Sequence, residues 1–254
     1  MAVARLAELI RERQPCVVLT GAGVSTESGI PDFRSPTGIW ARYDPMEYAS
    51  IDAFHRDPVK VWDFYGRRLH MLTDAEPNAA HLALARLERD GWVRAVVTQN
   101  IDMLHERARE IASGTGLILS PRPSSIIEVH GSIRTSSCLS CYTRVPLDDV
   151  IRLLEGAVAP ACPTCGNVLK PDVVMFGEVL PRAAIDRAYE LARGAALMLV
   201  VGSSLEVWPV AGLPLEAASF AVVNRGPTAL DGQAVLKIDA QAGETLAAVA
   251  ELLG

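Results

Sequence analysis

Four cysteines set the first chemical constraint. They stand as Cys138-x-x-Cys141 and Cys162-x-x-Cys165, with twenty residues between the pairs. Thiolates at this spacing can surround one Zn²⁺ tetrahedrally and leave no position open for water, so the metal would be structural. An iron–sulfur centre or a redox dithiol is the alternative. Pro163 and Gly166 suit the tight turn of the second pair. The fifth cysteine, Cys16, lies in an apolar run and reads as a buried, inert thiol.

The other candidates for chemistry all follow short apolar runs. Cys16-Val17-Val18-Leu19 leads into Thr20-Gly21-Ala22-Gly23, with Ser25, Thr26 and Ser28 close behind. Glycines after a buried strand allow close backbone approach, and N–H groups at a strand-to-helix turn suit a pyrophosphate. The dinucleotide fingerprint GxGxxG is met only in part, because Thr26 stands at the third glycine, and a plain structural turn reads as well. Gly29-Ile30-Pro31 then delivers Asp32, Phe33 and Arg34 to a loop. Ala95–Thr98 delivers Gln99-Asn100-Ile101-Asp102. Ile126–Val129 ends at His130-Gly131, Leu197–Val201 at Gly202-Ser203-Ser204, and Phe220–Val223 at Asn224. In open α/β sheets, ligands sit outside such carboxyl ends. A histidine at one of them, with an ordinary pKa near ~6.5, suits general-base work at neutral pH.

Taken together and in this order, the stretch Thr20–Trp40, Gln99–Asp102, His130-Gly131 and Gly202–Ser204 resemble the sirtuin family of NAD-dependent protein deacylases, over nearly the whole chain. The resemblance implies NAD as co-substrate beside the structural zinc. Its phosphates would lie around Gly21-Ala22-Gly23 and Gly202-Ser203-Ser204. Thr26, Asp32, Phe33, Arg34 and Trp40 would complete the cofactor site. Asn224 would bond the adenosine ribose, Asp102 and the Ile101 backbone the nicotinamide carboxamide, and Gln99 and Asn100 the second ribose. Nicotinamide would leave C1′ with oxocarbenium character and the acyl-lysine oxygen would attack there. His130, the catalytic base, would then deprotonate a ribose hydroxyl, with Asn100 as its catalytic partner. Phe33 would shield the cationic sugar. The products would be nicotinamide, the free lysine and O-acyl-ADP-ribose.

The substrate is expected to be an acylated-lysine protein, bound as an extra strand between Val174–Glu178 and Leu205–Pro209. Val174, Phe176, Gly177, Glu178, Leu205 and Val207 would line it. Tyr65-x-x-Arg68, following Phe64, resembles the pair with which some family members take succinyl or malonyl groups, the arginine fork accepting the distal carboxylate. Pro36 and Asp32 resemble general deacetylases instead. The competing readings are an NAD hydrolase or mono-ADP-ribosyltransferase on the same scaffold, and a non-catalytic NAD sensor or zinc-ribbon module. Val207-Trp208-Pro209 and Phe176-Gly177-Glu178 favour the deacylase, and Asn100 with His130 disfavours the sensor.

The chain must position these groups. Ala2–Arg13 carries Val3, Leu6, Leu9 and Ile10 on one helical face, and Thr245–Leu253 closes the chain with another apolar stripe. His81–Arg89 reads as an amphipathic helix, and Tyr43–Thr73 as short helices, one opened by Pro58 after an Asp57 cap. Asp172–Glu178 reads as a strand and loop, Ala234–Ile238 as a last strand, and Ser113–Ser125 as a mobile loop insertion. The fold expected is α/β: a Rossmann-like parallel sheet with helices on both faces, and a small zinc-ribbon and helical domain inserted into it. Residues 1–40, 81–134 and 171–254 would form the first, and 41–80 with 135–170 the second.

At 254 residues, half of them hydrophobic, the chain can bury a sizeable core. A net charge of −6 and no basic stripe argue against direct nucleic-acid binding. No apolar run is long enough to span a membrane, and Glu8, Arg11 and Glu12 follow the N-terminus too soon for a signal peptide, so a cytoplasmic location is expected. Oligomeric state is left open.

Overall fold

The strands that carry the site are the ones whose residues are apolar on both faces. In the computed structural model, which describes residues 1–114 and 125–254, they form a six-stranded, wholly parallel sheet. β1 (Cys16–Thr20), β2 (Ala95–Thr98) and β3 (Ile126–Glu128) lie on one side of its centre. A second, three-stranded sheet holds β4 (Gly131–Cys138), β5 (Arg144–Pro146) and β6 (Leu169–Val173). β7 (Leu197–Val201), β8 (Phe220–Val223) and β9 (Leu236–Ile238) complete the large sheet, in the order β3-β2-β1-β7-β8-β9. This is the order of the doubly wound dinucleotide-binding fold, and its direction of winding reverses between β1 and β7.

The alternation along β1 explains why helices must cover both faces. Cys16 and Val18 join Leu6, Leu9 and Ile10 of α1 (Ala2–Glu12) in one core, while Val17 and Leu19 face the other. On the first face also lie Leu84 and Leu87. They belong to the fifth of the chain's α-helices, after α2 (Pro45–Tyr48), α3 (Ile51–Arg56) and α4 (Pro58–Asp74), so α5 is Ala79–Arg89. Next among the described residues come α6 (Leu104–Ser113), α7 (Leu147–Leu154), α8 (Arg182–Arg193) and α9 (Leu213–Glu216). The last, α10 (Ala242–Leu253), adds Leu246, Val249 and Leu253 to the first face, while Ala188, Leu191 and Ala192 of α8 cover the second.

A third core joins the early helices to the small sheet: Trp62 and Phe64 of α4 pack with Ile133, Val150, Leu169 and Val173. Trp62 is buried and its indole N–H donates to the Leu169 carbonyl at 2.6 Å. The expected cap is present, since Asp57 accepts from the N–H of Lys60 ahead of Pro58.

The helix after the β1 turn is a 3-10 helix, Ala22–Ser28, and two expected strand starts shift. The strand expected from Asp172 begins at Leu169, because β6 is set by its antiparallel partner β4, and the last strand begins at Leu236 rather than Ala234. The loop expected at 113–125 lies outside the described residues except at its two ends.

Candidate active site

The site is built where the winding reverses. Gly21 follows β1 and Gly202 follows β7, and their backbones interlock: a Cβ on Gly21 would lie 2.8 Å from the Gly202 carbonyl oxygen, and one on Gly202 would lie 2.2 Å from the N–H nitrogen of Val24. Gly202 also has φ +61°. The glycines expected to admit a ligand therefore first admit each other. Ser203 is held in the same joint, its hydroxyl receiving Gln99 Nε2 at 3.0 Å and the Leu205 N–H at 3.3 Å.

Below this joint runs a buried polar network. Asn100 donates from Nδ2 to the Gly21 carbonyl (3.2 Å) and to Ser25 Oγ (3.1 Å). Ser25 donates to Asp102 Oδ2 at 2.7 Å, and Asp102 Oδ1 accepts the Leu104 N–H at the start of α6. Burial raises the Asp102 pKa. Two histidines missing from the sequence reading support this layer. His81 Nδ1 accepts the Asn78 N–H in a capping box, so its proton sits on Nε2, facing Ser25 Oγ at 3.4 Å. His105 Nε2 faces the Thr20 hydroxyl at 2.9 Å, and Thr20 donates onward to Thr98. Burial pushes the His81 pKa down to about 4 and the His105 pKa well below its ordinary value. Both are neutral acceptors and donors rather than charges. The signal that could have revealed His81 is its place three residues after Asn78, at a helix start.

His130 ends the segment after β3 as expected. Its Nδ1 lies 3.0 Å from the Gln99 carbonyl, which can only accept, so Nδ1 carries the proton and Nε2 keeps its lone pair. Burial, and the nearby Arg34 charge, lower its pKa, against the opposing effect of the Gln99 bond. Gly131 is required behind it, since with φ +73° a Cβ would meet the Asp172 carbonyl oxygen at 2.2 Å.

The loop after the 3-10 helix is self-organised. Asp32 Oδ1 accepts the N–H groups of Arg34 and Ser35, so this carboxylate shapes the loop. Arg34 meets Glu206 at 3.0 Å, tying the loop to the segment beyond Ser204. A hollow of about 270 Å³ lies beside it, lined by Thr26, Gly29, Pro31 and Asp32 among others. Trp40, expected with the cofactor, bridges Phe33 (5.1 Å between centroids), Phe64 (6.0 Å) and Phe176 (6.3 Å). Arg68 stacks over the Phe64 ring at 3.6 Å, with Tyr43 at 4.9 Å and Tyr65 buried next to it. Asn224 follows β8, and its amide nitrogen is spent on the carbonyls of Arg225 and Gly226.

Val174 donates to the His130 carbonyl, and Phe176 pairs with Ala49 and Ile51. The Glu178 carboxylate turns inward, accepting the Met175 N–H and pairing with Lys170. Leu205 is buried with φ +56°, and Val207 is half-buried.

At the far end of the small sheet, the sulfurs of Cys138, Cys141, Cys162 and Cys165 all lie within 4.8 Å of one another. Four thiolates at Zn–S bonds of about 2.3 Å would stand ~3.8 Å apart, inside that limit, so the donor set fits zinc. The polar floor likewise fits a dinucleotide such as NAD, because Asn100, Ser25 and Asp102 hold fixed hydrogen-bonding groups beside the interlocked turns.

Fold and site together define a class: a doubly wound α/β nucleotide-binding scaffold with a histidine at the carboxyl edge of its sheet and a four-cysteine module. More narrowly, the chain belongs to the Sir2 family, whose model matches residues 21–209. A protein of Caldivirga maquilingensis named NAD-dependent protein deacetylase is 42% identical over 95% of this chain and 90% of its own length. A protein of Archaeoglobus fulgidus named NAD-dependent protein deacylase 2 is 41% identical over 98% of this chain and 95% of its own length. Among solved structures, a Sir2 protein with a deacetylated p53 peptide and 3′-O-acetyl ADP-ribose superimposes with a TM-score of 0.90 at 38% identity, covering 99% of this chain and 98% of that one. A Sir2 protein bound to a propionylated peptide gives 0.86 at 36%, covering both chains fully.

Proposed function

We propose that this chain is an NAD-dependent protein-lysine deacylase. The observation that carries the reading is the His130–Gln99 contact, which leaves Nε2 basic and ties the ring to the segment that carries Asn100 and Asp102, in a chain of the Sir2 family. NAD supplies the activated ribose bond to nicotinamide and accepts the acyl group as O-acyl-ADP-ribose.

The chain's own residues do the rest. The glycine turns and Arg34 receive the diphosphate. Asp102, locked by Ser25 and the Leu104 N–H, accepts from the nicotinamide carboxamide, helped by the Ile101 backbone. Gln99 and Asn100 order the adjoining ribose, and Asn224 bonds the other. Phe33, propped by Trp40, excludes water from the reacting carbon. His130 Nε2 takes a proton from a ribose hydroxyl so that its oxygen can attack the transferred acyl carbon. An amide oxygen is a poor nucleophile, so holding both reactants in place is worth more here than activating either. The peptide adds as a strand between Val174–Glu178 and Leu205–Pro209, and the zinc holds the small sheet together without touching substrate.

A finer reading concerns the acyl group. The chain is a deacetylase that also accepts acidic acyl groups through Tyr65 and Arg68. The support is that Arg68 joins the aromatic path Phe33–Trp40–Phe64, so its guanidinium is partly desolvated where a carboxylate would be attracted most.

A panel of acyl-lysine peptides with NAD, read by mass spectrometry, tests both readings. Acyl loss coupled to nicotinamide release is expected. NAD cleavage without acyl loss would instead support the hydrolase reading, and ADP-ribose on protein the transferase.

A further inference from the structure

We propose that Lys170 and Glu178 form a positioning pair that sets the peptide-binding edge, an inference that rests on the deacylase reading. Lys170 lies on β6 and is only 6% exposed. An ammonium has three hydrogens, and three acceptors stand around this one: the Pro171 carbonyl at 3.1 Å, the Val173 carbonyl at 2.9 Å and Glu178 Oε2 at 2.9 Å. The same carboxylate oxygen accepts the Met175 N–H at 2.8 Å, and the Glu178 N–H returns to the Met175 carbonyl at 3.0 Å. The pair thus closes the turn that follows β6 upon the strand itself.

The rest of the segment is held from the other side. Val174 donates to the His130 carbonyl at 2.8 Å. Phe176 donates to the Ala49 carbonyl and accepts from Ile51, each at 2.9 Å. Among the described residues, no hydrogen bond reaches the Val174 carbonyl or either backbone group of Gly177, which is exposed at φ +89°. Those are the groups an added strand would use. Their direction is set by the turn, and the turn by Lys170.

Stability alone does not account for this arrangement. Buried ion pairs are often matched or exceeded by apolar residues of similar volume, because desolvation offsets the attraction. What an ammonium supplies and an apolar chain does not is direction, here toward two carbonyls and a carboxylate at once. The segment also adjoins α4, since Met175 shares a buried core with Trp62 and Phe64 of that helix. A displaced turn would therefore be felt at the acyl end of the cleft and not at the NAD turns.

The test is calorimetry of the full chain with an acetyl-lysine peptide and, separately, with NAD. The proteins are the parent, Lys170→Met, Glu178→Gln and the double variant. Each single variant is expected to weaken peptide binding by about tenfold, the worth of one to two directed hydrogen bonds, with NAD affinity within about twofold of the parent. The double variant is expected to recover the melting temperature lost by Lys170→Met, because no unpaired charge remains, while peptide binding stays weak. Glu178→Gln keeps an acceptor for Met175 and carries the test if Lys170→Met does not fold. Unchanged peptide affinity in the singles would overturn the proposal, as would peptide affinity that recovers in step with the melting temperature. A parent that binds NAD but no acyl peptide would overturn the deacylase reading itself.

Discussion

The Nδ1 of His130 stands 3.0 Å from the carbonyl oxygen of Gln99, and this one contact assigns the imidazole its tautomer. The same peptide unit carries the N–H of the Asn100 that follows, which Thr98 Oγ1 accepts, so the His130 ring and the Asn100 side chain share one rigid origin.

His130→Ala is expected to leave NAD binding within about twofold and to lower deacylation by roughly 10²–10⁴-fold. Because burial lowers the His130 pKa, the base is already free at neutral pH. The rate should plateau there and fall only as pH drops below the ordinary histidine range. Rates on an acetyl peptide between pH 5 and 9 check this, and a rate that instead rises steadily from 7 to 9 would contradict it.

His81 makes stability depend on pH. Its pKa falls from 6.5 unfolded to about 4 folded, so the unfolded chain binds the extra proton in that window. Its contribution, on the order of 3 kcal/mol, is complete above 6.5 and is lost as pH falls toward 4. His105, one ring away at 4.9 Å, acts in the same direction. Glu128, raised to about 7 by burial and Glu106, acts oppositely, losing stability as pH rises from 4.5. Comparing denaturant melts of the parent and His81→Asn isolates the histidine: the parent should lose more stability between pH 6.5 and 4.5, and parallel curves would show that His81 does not titrate there.

The four-cysteine module should hold one zinc per chain. Cys162→Ala, or a strong chelator, is expected to unfold the small sheet, with an apparent loss of roughly 10 kcal/mol, rather than to produce a clean catalytic defect. Elemental analysis decides between zinc and iron, and an iron content matching the protein would reverse the assignment.

The two cysteine knuckles offer an internal comparison. The residue after the second cysteine is left-handed in both, Gly166 at φ +78° and Tyr142 at φ +60°, and each N–H returns to the first cysteine's carbonyl at 2.9 Å. Tyr142 is 84% exposed and gains little packing for its strained backbone. Tyr142→Gly should therefore stabilise the protein by about 1 kcal/mol, seen as a higher melting temperature. A lower one would mean that the ring contributes more than its exposure implies.

If Arg68 receives an acidic acyl group, Arg68→Met should depress desuccinylation far more than deacetylation. Its stacking on Phe64 makes some loss of both expected, so the ratio is the measurement. Equal losses would remove the acyl role and leave a packing one.

Much of this was written in the sequence where burial is two-sided. β1, β2, β7 and β8 are four- or five-residue apolar runs because both faces are covered, and a run of that kind is hard to miss. The cysteine spacing and the Asp57–Pro58 helix start were equally plain. β4 was not, because Gly131–Cys138 reads GSIRTSSC and is a strand only through its partners β5 and β6. α6 and α8 were passed over because their buried stripes are thin, built largely on Ala108, Ala188 and Ala192 among charged residues. The polar floor stayed hidden because Ser25, His81 and Asp102 come from three separate segments, and no local pattern records their meeting.

The interlocked glycines carry a consequence for how the protein is made. Gly21 leaves the ribosome early and Gly202 late, and neither turn has its final shape without the other. The turn after β1 must wait for its final contacts until β7 has emerged and paired with β1. A nascent chain therefore closes this joint at one late moment of synthesis, after the four clustered cysteines are already outside.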